Sequence, residues 1–145
     1  MMEQIFPFLD PQAVPVIASG LPVAREVKWD YERDHPVYVG GAPVMVERAE
    51  AVAVWAWNAL HTERWCWPLF TGNYGNEIDS LIGQTWSDDY KRAEVRRYIT
   101  ECLLVSPYIK RLDHMDITFQ DGKVTAAFDL ISIYGMIKLE VGDLV

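Results

Sequence analysis

The rhythm of apolar and polar positions changes three times along the chain. Over the first 24 residues the apolar side chains Ile5, Phe6, Phe8, Leu9, Val14, Val16 and Ile17 are punctuated by Pro7, Pro11, Pro15 and Pro22. Proline removes a backbone donor and fixes φ, so this stretch predicts an extended arm and not a helix. A disordered tail is polar and charged; an apolar arm needs a surface, on its own domain or on a neighbour. Val27–Tyr31 and Tyr38–Val46 then read as short strands, with Gly40-Gly41 as a hairpin turn.

A helical period follows. Glu47–Leu60 predicts a helix whose stripe is Ala49, Val52, Ala53, Ala56 and Leu60. Val54 and Trp57 fall on roughly the opposite face, and a helix apolar on both sides is either deeply buried or packed on a partner. Trp65, Trp67 and Leu69 alternate as in a strand, which Pro68 places at an edge. Thr71–Gly75 is a turn and Glu77–Ile82 a short helical piece. Ser87 caps a second long helix, Asp88–Val105, with Val95, Tyr98, Ile99, Cys102 and Leu103 inward, and Ser106-Pro107 stops it.

The last third alternates strictly. Asp121-Gly122 is a two-residue turn that needs positive φ. Folding there pairs Phe119 with Val124, Ile117 with Ala126 and Met115 with Phe128 on an apolar face. Gln120–Lys123, Thr118–Thr125 and His114–Asp129 fall on the polar face. Gly135 breaks the chain before a final strand, Met136–Val141. The element order predicts an α+β fold: helices packed on a largely antiparallel sheet, an extended Pro-rich N-terminal arm (1–24), and a C-terminal β-meander closing a single domain over 25–145.

Composition narrows the function. The 145 residues suffice for one core. Six Trp, seven Tyr and five Phe exceed what such a core commonly needs and suit surfaces that other proteins cover. A net charge of −8 argues against nucleic acid, which wants clustered cations; Lys91, Arg92, Arg96 and Arg97, broken by Glu94, read as a solvated helix face. Cys66 and Cys102 form no metal-spaced set and read as reduced, buried thiols. No basic leader precedes the arm, and the apolar run Ala51–Trp57 is too short to cross a membrane. The expected location is the cytosol, unless the protein leaves as part of a particle.

Candidate chemistry is sparse. His35, His61 and His114 lack metal spacing, and there is neither a phosphate-cradling glycine loop nor a nucleophile elbow. Glu63, Glu77 and Asp79 beside a Trp-rich stretch offer a carboxylate pair of the kind glycosidases use. The plainer reading has Glu63 paired with a neighbour such as Arg64 and Glu77 at a helix start.

Several segments, taken in order, carry a resemblance: Val27-Lys28-Trp29-Asp30-Tyr31, Ala59–Arg64, Asn73-Tyr74-Gly75-Asn76-Glu77, Leu81-Ile82-Gly83, Arg97–Leu104, Ser106-Pro107-Tyr108-Ile109 and Ile133-Tyr134-Gly135. Their series, over about residues 25 to 141, resembles the XkdS-like phage tail proteins, small wedge proteins or sheath initiators of contractile-tail baseplates. The resemblance implies a structural subunit, not an enzyme, with no cofactor and no metal. The implied partners are larger baseplate wedge proteins, tail sheath subunits and tube or hub proteins, with six copies per baseplate. The implied location is a phage or tailocin particle assembled in the bacterial cytoplasm. Where the wider family carries Glu-Pro-Arg after its long helix, this chain has Ser106-Pro107-Tyr108, so that ion pair does not carry over. The interface candidates are Val54 and Trp57 toward a wedge helix, Pro107 and Tyr108 at the helix end, and Met136, Ile137, Leu139 and Val141 along the strand toward the sheath. A glycan hydrolase using Glu63 and Glu77, and a tail-assembly chaperone, are the competing readings.

Overall fold

A computed structural model describes residues 20–64, 74–81, 84–142 and 144. Most of the predicted arm, the strand expected over Trp65–Leu69, and Cys66 lie outside the described residues.

The first strands organise differently from two simple strands. β1 (Arg25–Val27) pairs with β6 (Met45–Glu47), β2 (Trp29–Asp30) with β3 (His35–Pro36), and β4 (Tyr38–Val39) with β5 (Ala42–Pro43), all antiparallel. The three short ladders meet at a ring of backbone hydrogen bonds: Lys28 N–H to the Val44 carbonyl (2.7 Å), Val44 N–H to Val37 (3.0 Å), and Val37 N–H to Lys28 (2.8 Å). Each ladder alone is too short to be stable. The ring satisfies the backbone groups at the branch point and joins the three into one unit. Gly40 and Gly41 make the expected turn, at φ +60° and +82°. The predicted strand Tyr38–Val46 therefore breaks into β4, β5 and β6.

α1 (Arg48–Leu60) follows directly. Its alanines let neighbouring backbone approach closely, so β1, α2 (Asp88–Leu104) and the C-terminal sheet pack around it. Ala51, Val52, Ala53, Val54, Ala56, Ala59 and Leu60 are all buried. On the second apolar face Val54 is deeply buried, whereas Trp57 is half-buried. α2 starts at Ser87, whose hydroxyl accepts the Tyr90 N–H (3.3 Å), and buries Val95, Ile99, Cys102 and Leu103. A 3-10 turn at Ile78–Leu81 stands where the short helical piece was expected.

β7 (Ile109–Gln120), β8 (Lys123–Ser132) and β9 (Gly135–Val141) form the meander, in that spatial order. The register from the Asp121-Gly122 turn holds through Asp116↔Ala127 and then shifts. Asp113, not His114, stands opposite Asp129, and Met115 does not pair directly with Phe128. The cause is a β-bulge: His114 adopts φ +52°, so two residues of β7 oppose one of β8. Alternation cannot reveal an inserted residue, because both neighbours still look acceptable on their faces. The helices cover the sheet face carrying Ile117, Val124, Ala126, Phe128, Leu130 and Val141, which joins α1 and α2 in one core.

Candidate assembly interface

The two outer edges of the sheet differ. Along β7, α2 supplies donors: Arg92 Nε bonds the Ile117 carbonyl (3.1 Å) and Arg96 Nη2 the Met115 carbonyl (3.1 Å). Arg92 also faces the Phe119 ring at 5.6 Å and Asp89 at 3.1 Å. The basic cluster is thus not simply a solvated face. Arg97, held by Glu94 and Glu101, is the solvated member, while Arg92 and Arg96 cover an edge.

β9 has no such cover. From Met136 to Val141 its outer edge meets no further strand and no side-chain donor among the described residues. The β8–β9 hairpin closes on Ser132↔Gly135 around Ile133-Tyr134. A closing pair in a two-residue hairpin is hydrogen-bonded both ways and the pairs alternate after it. The N–H groups of Met136, Lys138 and Glu140 therefore point outward. Ile137, Leu139 and Val141 face the helices, and Met136, Lys138 and Glu140 face the open side of the sheet. Met136 is 59 % exposed, whereas Val141 is fully buried in the core.

Val54 is also core, at 2 % exposure. Its side chain and that of Val141 have no free surface to give a partner, which corrects the expectation that Val54 faces a wedge helix. Trp57 is half-buried and committed within the chain. Its indole N–H donates to Asp34 Oδ1 (3.1 Å), as does that of Trp29 (3.0 Å), and its ring meets Tyr31 at 4.9 Å and His61 at 4.5 Å. Two indole donors on one oxygen hold the Asp34 carboxyl below its ordinary range. His61 faces the Trp57 carbonyl through Nδ1 (2.8 Å) and the Gly142 carbonyl through Nε2 (3.1 Å), tying the end of α1 to the end of β9.

Beyond α2 the chain turns a corner. Pro107 is exposed. Tyr108 stacks on Tyr134 at 6.2 Å and donates its hydroxyl to the Pro22 carbonyl (2.6 Å), while the Tyr134 hydroxyl accepts from Ala24 N–H (3.0 Å). The two tyrosines clamp the chain where it enters the body. Beside them lies an apolar groove of about 400 Å³ between Val23–Glu26, one side of α1, and Val105–Tyr108.

Glu77 faces the Arg64 guanidinium (3.4 Å). Glu63 stands closest in effect to Asp79, whose carboxyl is pushed up by burial and then by Glu63. His114 Nδ1 does reach Asp129 Oδ2 (3.0 Å), but at an 83 % exposed ring. Among the described residues no group of three His, Cys, Asp or Glu could hold a metal, and no helix is long and apolar enough to cross a membrane. Cys102 is buried, and burial pushes its thiol up to about 12.

A small α+β body with one covered and one open sheet edge is the build of an assembly subunit, and comparison with known proteins agrees. Residues 25–135 match the family described as contractile injection system sheath initiator, and the chain belongs to that family. It is a structural component of a contractile tail, working among tail sheath and baseplate components. It is also similar to phage-like element PBSX protein XkdS of Bacillus subtilis (strain 168), with 28% identity over 97 residues, covering 66% of this chain and 69% of that protein.

Proposed function

We propose that this chain is a baseplate wedge and sheath-initiation subunit. Its β9 edge templates the first ring of sheath, while the corner at Pro107 and Tyr108 and the exposed rim around Trp57 join larger wedge proteins. Six copies surround the tube and hub, and the particle assembles in the host cytoplasm. The observation that carries this reading is the asymmetry of the sheet. Arginines from α2 occupy two carbonyls of β7, those of Ile117 and Met115, whereas among the described residues no side-chain donor and no further strand meets the outer edge of β9. Strand addition gains affinity from backbone hydrogen bonds, with alternate side chains setting specificity. A free seven-residue edge is otherwise a liability in an isolated protein.

The test is Lys138→Pro against Lys138→Ala. Proline at 138 removes an outward N–H while leaving the β8 ladder intact, and an edge strand tolerates it. Particles carrying Lys138→Pro are expected to show bare tubes or missing tails by electron microscopy, with Lys138→Ala sheathed as wild type and both purified proteins folded. Normal sheath on Lys138→Pro particles would remove β9 from the templating role.

A further inference from the structure

The groove beside the tyrosine clamp is lined by β1, by Val52 and Trp55 of α1, and by Val105 and Pro107, and no residue of β6 reaches it. It therefore lies on the side of β1 away from β6. The parity of the β1–β6 ladder says what faces that side. Arg48 N–H bonds the Ala24 carbonyl (2.9 Å), Lys28 N–H bonds the Val44 carbonyl (2.7 Å), and Glu26 stands opposite Val46 between them. Residues 24, 26 and 28 thus turn their backbone groups toward β6, and Arg25 and Val27 turn theirs outward. Among the described residues no strand pairs with that edge and no hydrogen bond reaches those outward groups. Glu26 shares its face with the core residues Ala24 and Val46 and lines the groove. Burial pushes its carboxyl up, and among the described residues it makes no ion pair.

We propose that the groove is a strand-addition site separate from β9, and that it takes an extended segment of another tail protein carrying one Lys or Arg between apolar residues. Backbone groups that face out at every second residue are met by a strand, not by a helix, whose own N–H and C=O groups are already paired. An added strand continues the β6–β1 sheet, so its alternate side chains fall on the α1 face. There the residue opposite Glu26 is the cation, and the apolar residues two positions to either side rest on Trp55 and Val52 and against Val105, itself 48 % exposed. A cation offsets the cost of a half-buried lone carboxylate, which a neutral strand would only deepen. On the other face Arg25 is already held by Glu47 (3.3 Å) and selects no charge. A second copy is a poor occupant. It carries a like net charge of −8, and its open edge at β9 sets Glu140 two residues from Lys138, bringing a carboxylate toward Glu26. The volume, about 400 Å³, is at the small end of ordinary binding pockets (about 300–1,000 Å³), which suits a few residues of strand.

The test is made in assembled particles, with the photocrosslinker p-benzoylphenylalanine in place of Val105 of the full chain. Irradiation and mass spectrometry are expected to join it to a segment of another tail protein in which a Lys or Arg has apolar residues two positions to either side. In Glu26→Lys particles the yield of that product per incorporated copy is expected to fall about tenfold, and exchanging the partner's cation for Glu should restore it. Val27→Pro removes an outward N–H without touching the β6 ladder and is expected to lose the product, whereas Val27→Ala keeps it. Amide NMR spectra of the purified variants report the fold. If Val27→Pro unfolds the chain, Glu26→Lys and its rescue decide alone. A product with residues 1–19 of the same chain, with a second copy, or with a segment lacking the cation would overturn the proposal. So would a yield unmoved by Glu26→Lys, or no product at all.

Discussion

At the scale of single residues, Asp34 does more than its place in a loop suggests. It sits at φ +53°, a region that Asp adopts more readily than most side chains, and from there it receives both indole N–H groups. This locks the β2–β3 hairpin onto α1. Its folded pKa lies below the unfolded value of about 3.9, so its contribution to stability is complete above that pH and is lost as pH falls through the folded value. Trp57→Phe keeps an aromatic ring, though a smaller one, and removes one donor. Urea titrations at pH 7 and pH 3 are expected to show a smaller acid-induced loss for the variant than for wild type. An unchanged difference would mean the indole donor does not set the Asp34 titration. Gly75 is constrained in another way. Its φ is +98°, and a Cβ there would stand 2.8 Å from the Thr62 carbonyl oxygen. Next to it buried Asn76 donates to the Leu60 and Thr62 carbonyls and accepts from Ile78 N–H (2.9 Å), ending α1. The Tyr74–Glu77 part of the recurring series thus has a backbone reason.

At the scale of elements, α2 is more than a helix packed on a sheet. Its outer arginines donate to two β7 carbonyls, whereas no such donor meets the outer edge of β9 among the described residues. Arg92→Ala/Arg96→Ala is expected to lower the stability of the isolated chain by about 1–3 kcal/mol, since two charge-assisted bonds to carbonyls are lost at partly exposed sites. It should also raise self-association, read by sedimentation velocity, because a second edge is freed. A strictly monomeric double variant would show that the arginines do not guard the edge. The bulge at His114 belongs to this scale too. It places Asp113 opposite Asp129, a like-charge pair, and each acid has a separate partner: Arg111 at 3.0 Å from Asp113 and His114 Nδ1 at 3.0 Å from Asp129.

At the scale of the whole molecule, α1 is the centre and not a face. Val54 illustrates the difference between core and interface. Val54→Ala removes two buried methyl-sized groups and is expected to cost the isolated chain about 2 kcal/mol by chemical denaturation. The protein that remains folded should still enter particles. Loss of incorporation with unchanged stability would restore Val54 to an interface. The polar asymmetry is also global: the sheet face opposite the helices carries Asp116, Thr118, Lys123, Lys138 and Glu140, so the open β9 edge is flanked by mixed charge and not by a greasy patch.

Local chemistry determined much of this protein from sequence alone. Gly40-Gly41 and Asp121-Gly122 announced their turns because positive φ selects those residues. Ser87 and Pro107 bounded α2 because capping and the missing proline N–H act within a few positions. The meander register followed from the turn as far as Asp116, and the ordered segments from Val27 to Gly135 pointed to the sheath-initiator family before any coordinates. Tertiary structure decided what depends on neighbours remote in sequence. A 3.6-residue period shows that Val54 and Trp57 leave the main stripe, but only the approach of β1 and the sheet shows that α1 is surrounded. Charge clustering shows Arg92 and Arg96 together, but only the placement of α2 beside β7 aims them at carbonyls. The three-way hairpin junction and the His114 bulge were hidden because each depends on backbone hydrogen bonds, which side-chain alternation does not encode.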